Sequence, residues 1–321
     1  MRLIIDSDPG MGTAGTDPED GMAVLYALNT PGITVEGITL VQGNVPISHS
    51  WPNVRHLLDL AGRNDVPVHP GALGPRRPDL RAFQAAWLAQ RDGTPRTVPV
   101  LVPPPSTAAP FLRDTVLDAP GEITVVAIGP LTNVAAAIEA DPRVAGALAG
   151  LVIMGGTVAV PGNITPAAEF NIWMDPEAAE IVFASGAPIT MVGLDVCHRT
   201  HFGRDQAEAL ATAGTALSDF VARAATSWID VRERLFPGDE ALNLYDTLAV
   251  AAAVEPDLLG YAPALVEIET STGPAQGMTV THRNDLLRRM LTGRDHNARV
   301  AIDIDTERFT ARFTERVTHC L

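Results

Sequence analysis

Short, almost wholly apolar runs return along this chain: RLIIDS at 2–7, ITVEGITLV at 33–41, ITVVAI at 123–128, LVIM at 151–154 and ITMVGL at 189–194. Helical patterns lie between them. A strand that is apolar on both faces must be covered on both, and a parallel sheet sandwiched between helices does that. The expected fold is therefore α/β, with an open, mostly parallel central sheet and helices on both faces. Local signals agree. Asp17 as cap, Pro18 at the first helical position and Asp20 three residues after the cap introduce the apolar helix GMAVLYAL. Val54, Leu57, Leu58 and Ala61 share one helical face before Gly62. Further helices are expected over 131–140, 176–185 and 205–235, and from Asp246 onward.

Elsewhere the pattern loosens. A short strand is expected at 66–68. The segment 71–110 reads as an excursion or edge hairpin, with an amphipathic piece near Leu80 and a proline-heavy end from Pro95 to Pro110. Residues 262–304 read as antiparallel strands or hairpins, and a terminal helix puts Phe309, Phe313 and Val317 on one face. One catalytic unit spanning 1–321 is expected, with the partly helical region 200–245 beside its site.

Composition narrows the partners. Asp plus Glu number 38 against 23 for Lys plus Arg, a formal charge of −15, which repels a nucleic acid backbone and favours a small ligand. Cys197 and Cys320 are too few for a disulfide scaffold. No apolar run approaches the roughly 20 residues that span a bilayer, and the opening MRLIIDSDPG is not a signal peptide, so a cytoplasmic location is expected.

In open α/β sheets ligands gather beyond the carboxyl ends of the strands. Asp6 and Asp8 end the first run, Asn44 follows the second, the turn 129–133 the third, and Met154 and Asn163 belong to the next. In PAAEFNIWMDP, Glu169 and Asn171 are two residues apart and would point the same way if that loop is extended. Met154 is expected in the core with its tip in the pocket. Carboxylates crowded at one rim repel each other unless a cation or a shared proton compensates, and an oxygen-only donor set suits a hard cation such as Ca²⁺. The segment GMGTAG lacks the GxGxxG spacing and follows an aspartate that would oppose a pyrophosphate, so a dinucleotide site is not expected. Cys197, His198 and His201 are neighbours in the chain, which does not make them a catalytic set.

These segments together resemble the nucleoside hydrolase family, the inosine-uridine-preferring nucleoside N-ribohydrolases. DSDPG with the acidic pair Glu19-Asp20 looks like that family's amino-terminal motif. GITLVQGN, IGPLTNVAAAIEADPRV, LVIMGG, the long stretch from Gly162 to Val196, YDTLAV and GMTV follow in order. The resemblance implies hydrolysis of the N-glycosidic bond of a ribonucleoside or related ribosyl compound, giving ribose and free base. It implies Ca²⁺ held by Asp8, Asp20, Asp246 and the main-chain carbonyl of Thr132, with Asp6 in support. Ribose would be held by Glu19, Asn44, Asn163, Glu169, Asn171 and Asp246, with Asp8 deprotonating the attacking water. A homodimer or homotetramer is implied as well.

The chain departs from the family pattern in places. The loop MGTAGTDP is elongated, and Glu19 stands where aspartate is usual. Tyr245 stands where many members place a histidine that protonates the leaving base, and a phenol with a reference pKa of about 10 is a poor acid near neutrality. GPRRPDLRAF replaces a histidine-glycine motif. Stacking on the base is the expected role of Tyr245. A catalytically weak ribose- or nucleoside-binding protein of the same fold, or a related metal-dependent hydrolase acting on another bond, are the alternatives.

Overall fold

The computed structural model describes residues 1–89, 98–235, 237–238 and 240–318. Its strands are β1 (Arg2–Ser7), β2 (Thr34–Leu40), β3 (Val68–Pro70), β4 (Ile123–Ala127), β5 (Gly150–Met154), β6 (Ile189–Val192), β7 (Phe202–Gly203), β8 (Ala241–Leu242), β9 (Leu259–Ile268), β10 (Thr279–His282) and β11 (Ala298–Ile304). The helices begin with α1 (Glu19–Leu28), α2 (Ile47–Leu60), α3 (Pro78–Ala89), α4 (Ala108–Asp118), α5 (Thr132–Ala140), α6 (Arg143–Ala147) and α7 (Phe170–Met174). They continue with α8 (Pro176–Ala184), α9 (Leu194–Cys197), α10 (Arg204–Ala211), α11 (Ala216–Leu235), α12 (Tyr245–Val254), α13 (Asp285–Thr292) and α14 (Thr306–Arg316).

The main sheet runs β10-β9-β11-β6-β5-β4-β1-β2-β3. Neighbours from β3 through to β11 pair parallel, whereas β9 pairs antiparallel with both β11 and β10. The expected parallel α/β sheet is thus present with an antiparallel edge. Its strands alternate between two cores: Leu3, Ile5, Val126, Val152 and Met154 face one, and Ile4, Val125, Ala127, Leu151 and Ile153 the other. The chain leaves β1 outward through β2 and β3, then returns to the opposite side of β1 as β4. That reversal is a topological switch point, and it opens a crevice at the carboxyl ends of β1 and β4.

Several boundaries differ from expectation. Helix α1 starts at Glu19, with the Asp17 carboxylate accepting the Glu19 amide at 3.1 Å; Asp20 does not serve as a capping acid, because its side chain turns to β1. Helix α2 runs through Pro52, and the Ser48 carbonyl that Pro52 cannot satisfy accepts the Leu101 amide at 3.1 Å instead. No edge hairpin forms in the excursion: among the described residues no strand lies between β3 and β4, and α3 and the start of α4 occupy it. Residues 90–97, which include the start of the proline-heavy stretch, and Cys320 lie outside the described residues. The 262–304 region contains helix α13 as well as strands, and β11 joins the main sheet. No helix among the described residues is long and apolar enough to cross a membrane.

Candidate active site

The last residues of β1 and the start of α1 meet in the crevice. Asp6 is fully buried; its Oδ1 accepts from the Thr39 hydroxyl at 2.6 Å and the Asn133 amide at 2.8 Å. Asp20 Oδ1 accepts from the Ser7 hydroxyl at 2.6 Å and the Asp8 amide at 3.1 Å, and its Oδ2 accepts from the Asn44 side chain at 3.1 Å. Asp8 Oδ2 accepts the Asn44 main-chain amide. Glycines at 43 and 129 let the backbone close over Asp8: a Cβ at Gly43 would lie 2.0 Å from Asp8 Oδ2, and one at Gly129 2.8 Å from Oδ1.

Asp246 reaches the same place from the first turn of α12. The amides of Asp246 and Thr247, with the Thr247 hydroxyl, all donate to the carboxylate of Glu19. Thr132 opens α5, and its hydroxyl donates to Asp175 at 2.6 Å.

Burial raises every one of these acids. Asp6 is pushed up to about 7 against the pull of Asn133 and Thr39. Glu19 is pushed up to about 8 by burial against its bonds to Thr247 and Asp246. Asp8 rises through burial and then through Asp20; Asp246 rises through burial and then through Glu19, Asp20 and Asp8. Asp20 rises through burial also. Carboxylates packed this way ionise together only when positive charge joins them.

The donors are oxygen only, and Asp8 Oδ1 is buried with no hydrogen-bond partner, so the group fits a hard divalent cation. Among the described residues, no three His, Cys, Asp or Glu side chains already stand as a metal-holding cluster. Asp8, Asp20 and Asp246 form one buried group whose charges act on one another, and not a formed coordination sphere.

Above this group opens a cavity of about 210 Å³. Of the residues expected at the substrate, Asn44, Met154, Asn163, Glu169, Asn171, Tyr245 and Asp246 line it and Glu19 does not. Glu169 and Asn171 arrive differently from the extended-loop reading. Glu169 caps α7, its carboxylate accepting the amides of Asn171 at 2.8 Å, Gly156 at 3.0 Å and Ile172 at 3.2 Å. Burial still pushes Glu169 up to about 7. The Asn171 side chain donates to the carbonyls of Ile128 and Met154, at 3.2 Å each, which ties α7 to the ends of β4 and β5. Asn163 Oδ1 accepts the Phe170 amide at 2.9 Å.

The lining also includes Asp17, Ile164, Phe170, Trp228, Arg232 and Leu235, which the sequence reading missed. Trp228, Arg232 and Leu235 recur at helical spacing on α11, and that spacing was the available signal. Tyr245 is half-buried; burial pushes its phenol up, and its hydroxyl lies 3.3 Å from Asn243 Oδ1, to which it donates. The His198 ring stands 5.8 Å from the Tyr245 ring. Cys197 is buried and its thiol is pushed up, which leaves it inert as a nucleophile.

Comparison with known proteins places this architecture. A family model described as inosine-uridine preferring nucleoside hydrolase matches residues 3–311. The chain is 36% identical over 318 residues to the pyrimidine-specific ribonucleoside hydrolase RihA of Citrobacter koseri, covering 99% of this chain and 98% of that one. It is 35% identical over 289 residues to a probable uridine nucleosidase 2 of Arabidopsis thaliana, covering 88% and 86% of the two chains. Among solved structures, it superposes on a plant nucleoside hydrolase with a TM-score of 0.84 at 33% identity, covering 99% and 98%. It superposes on a purine-preferring ribonucleoside hydrolase from Gardnerella vaginalis with a TM-score of 0.85 at 30% identity, covering 100% and 99%. The chain belongs to the inosine-uridine preferring nucleoside hydrolase family, whose fold hydrolyses the N-glycosidic bond of ribonucleosides.

Proposed function

We propose that this enzyme cleaves pyrimidine ribonucleosides such as uridine into ribose and free base, with Ca²⁺ held by Asp8, Asp20, Asp246 and the Thr132 main-chain carbonyl. The observation that carries this reading is the buried carboxylate group beneath the cavity, with Asp8 Oδ1 unpartnered. The pyrimidine preference rests on the names of the relatives of Citrobacter koseri and Arabidopsis thaliana. When bound, the ion supplies positive charge that lets the acids ionise together and makes water at the site more acidic.

Asp8 accepts the proton of the attacking water. Asn44, Asn163, Glu169, Asn171 and Asp246 hold the ribose hydroxyls and set the anomeric carbon over that water. As the C1′–N bond breaks, its electron pair passes to the base, which takes up a proton from solvent, while the water oxygen bonds to C1′ and the carboxylates favour the positive charge growing on the sugar. Asp6, tied to Thr39 and Asn133, holds the end of β1 in place. Trp228 and Tyr245 flank the base. Tyr245 stacks rather than donating a proton, because burial weakens its phenol as an acid and its hydroxyl is engaged by Asn243. Assembly into a homodimer or homotetramer belongs to the same proposal.

The test is release of reducing sugar from a panel of uridine, cytidine, inosine and their 2′-deoxy forms, with the wild type and Asp8→Ala. Uridine and cytidine should turn over fastest, deoxy forms poorly, and Asp8→Ala not at all. Undiminished turnover by Asp8→Ala removes the role given to Asp8, and preference for inosine removes the pyrimidine assignment.

A further inference from the structure

Both carboxylate oxygens of Glu19 are already engaged. Oε2 accepts the Asp246 amide, and Oε1 accepts the Thr247 amide at 2.8 Å together with the Thr247 hydroxyl. Glu19 is 1% exposed and does not line the cavity, although its chain neighbour Asp20 and its partner Asp246 belong to the acidic group beneath it.

The reason lies in α12. The first amides of a helix have no partner within it. Residue Leu244 occupies the cap position of α12 and offers no side-chain oxygen. The need is met from a separation of 227 residues by Glu19, whose negative charge also suits the positive end of the helix. Helices α1 and α12 pack along one another, so the bond joins two rigid elements. Glutamate has the reach for this where aspartate is one methylene shorter.

We infer that Glu19 is a positioning residue for Asp246: it fixes the first turn of α12, and with it the Asp246 carboxylate that takes calcium, and does not hold the ribose. This rests on the calcium reading given above. Groups that orient a metal ligand commonly change metal affinity by about 10–100-fold when altered. Glu19→Gln turns an amide donor against the donors of α12. Glu19→Asp keeps the charge but withdraws it from the helix. Thr247→Val leaves Glu19 intact and removes only the hydroxyl donor.

The experiment is calorimetric titration of Ca²⁺ into metal-stripped wild type, Glu19→Gln, Glu19→Asp, Thr247→Val and Asp246→Asn. Steady-state kinetics on uridine and 2′-deoxyuridine accompany it. Glu19→Gln and Glu19→Asp should both bind calcium about 10-fold or more weakly. Thr247→Val should lose less, about threefold, because the amides of Asp246 and Thr247 still hold Glu19. The ratio of kcat/KM for uridine over 2′-deoxyuridine should stay at its wild-type value in all three. Wild-type calcium affinity in Glu19→Gln, with that ratio collapsing, overturns the inference and makes Glu19 a sugar ligand. If Glu19→Gln does not fold, unchanged calcium binding by Thr247→Val overturns it. Wild-type binding by Asp246→Asn instead removes the calcium reading itself, whatever Glu19 does.

Discussion

Replacing Gly43 by alanine puts a methyl group into space that Asp8 already fills. The new Cβ would lie 2.0 Å from Asp8 Oδ2, 2.8 Å from its Cγ and 2.9 Å from Pro130 Cδ. The carboxylate must retreat by about 1 Å or more to restore ordinary contact, which strains its bond from the Asn44 amide. Two costs follow, and they differ in size. Overpacking generally costs about 1–3 kcal/mol, and here the main obstacle is the end of a side chain that can rotate, so about 1 kcal/mol is expected. Misplacing the proton acceptor by about 1 Å costs about 100-fold in rate, equivalent to about 2.7 kcal/mol of barrier. Gly43→Ala should therefore melt only a few degrees below wild type but lose about 100-fold in kcat/KM for uridine. The assay is reducing-sugar release at saturating calcium, run beside a thermal melt. Gly146→Ala, where a Cβ meets nothing within 4 Å, is the control and should leave both unchanged. Activity of Gly43→Ala within about threefold of wild type would refute the placement of Asp8 at the reacting centre.

Tyr245→Phe should retain most of kcat, since stacking contributes about 0.5–1.5 kcal/mol and survives the change. A loss of about 100-fold that an activated leaving group rescues would instead identify the phenol as the acid. The metal-free protein should lose stability as pH rises, and Glu169 contributes to that slope. Its native pKa of about 7 lies above the ordinary 4.5, so the native state binds the extra proton; the contribution is full below about 4.5 and is lost as pH rises through 7. Urea melts of Glu169→Gln across that window should show a shallower decline than wild type, and an identical slope would sink this assignment.

The central strands and their acids were legible because their signals are local. Apolar runs that end in Asp6 and Asp8 announce a buried strand with a polar rim, and the same holds for the turn that ends in Thr132 and Asn133. Short segments were harder. A residue that caps a helix has extended backbone, so Glu169 before the five-residue helix α7 looks the same in sequence as Glu169 in an extended loop. Helix α13 lies in a segment whose pattern suggests hairpins; Leu286, Leu287, Met290 and Leu291 on it are exposed, so its apolar residues do not mark a core face. What Glu19 does was beyond local reading altogether, because its partners lie 227 and 228 residues away. Trp228 and Arg232 carried a readable helical spacing, yet which wall of which cavity that face meets is set by how α11 packs.

Catalysis by the acidic group below the cavity requires calcium. Calcium titrated into chelator-treated enzyme, with ribose release from uridine followed at each addition, tests that most directly. Activity should be absent at the start and rise to saturation as one Ca²⁺ binds per chain, while Asp8→Ala stays flat throughout. Full turnover in the presence of excess chelator, with no response to added calcium, would contradict it.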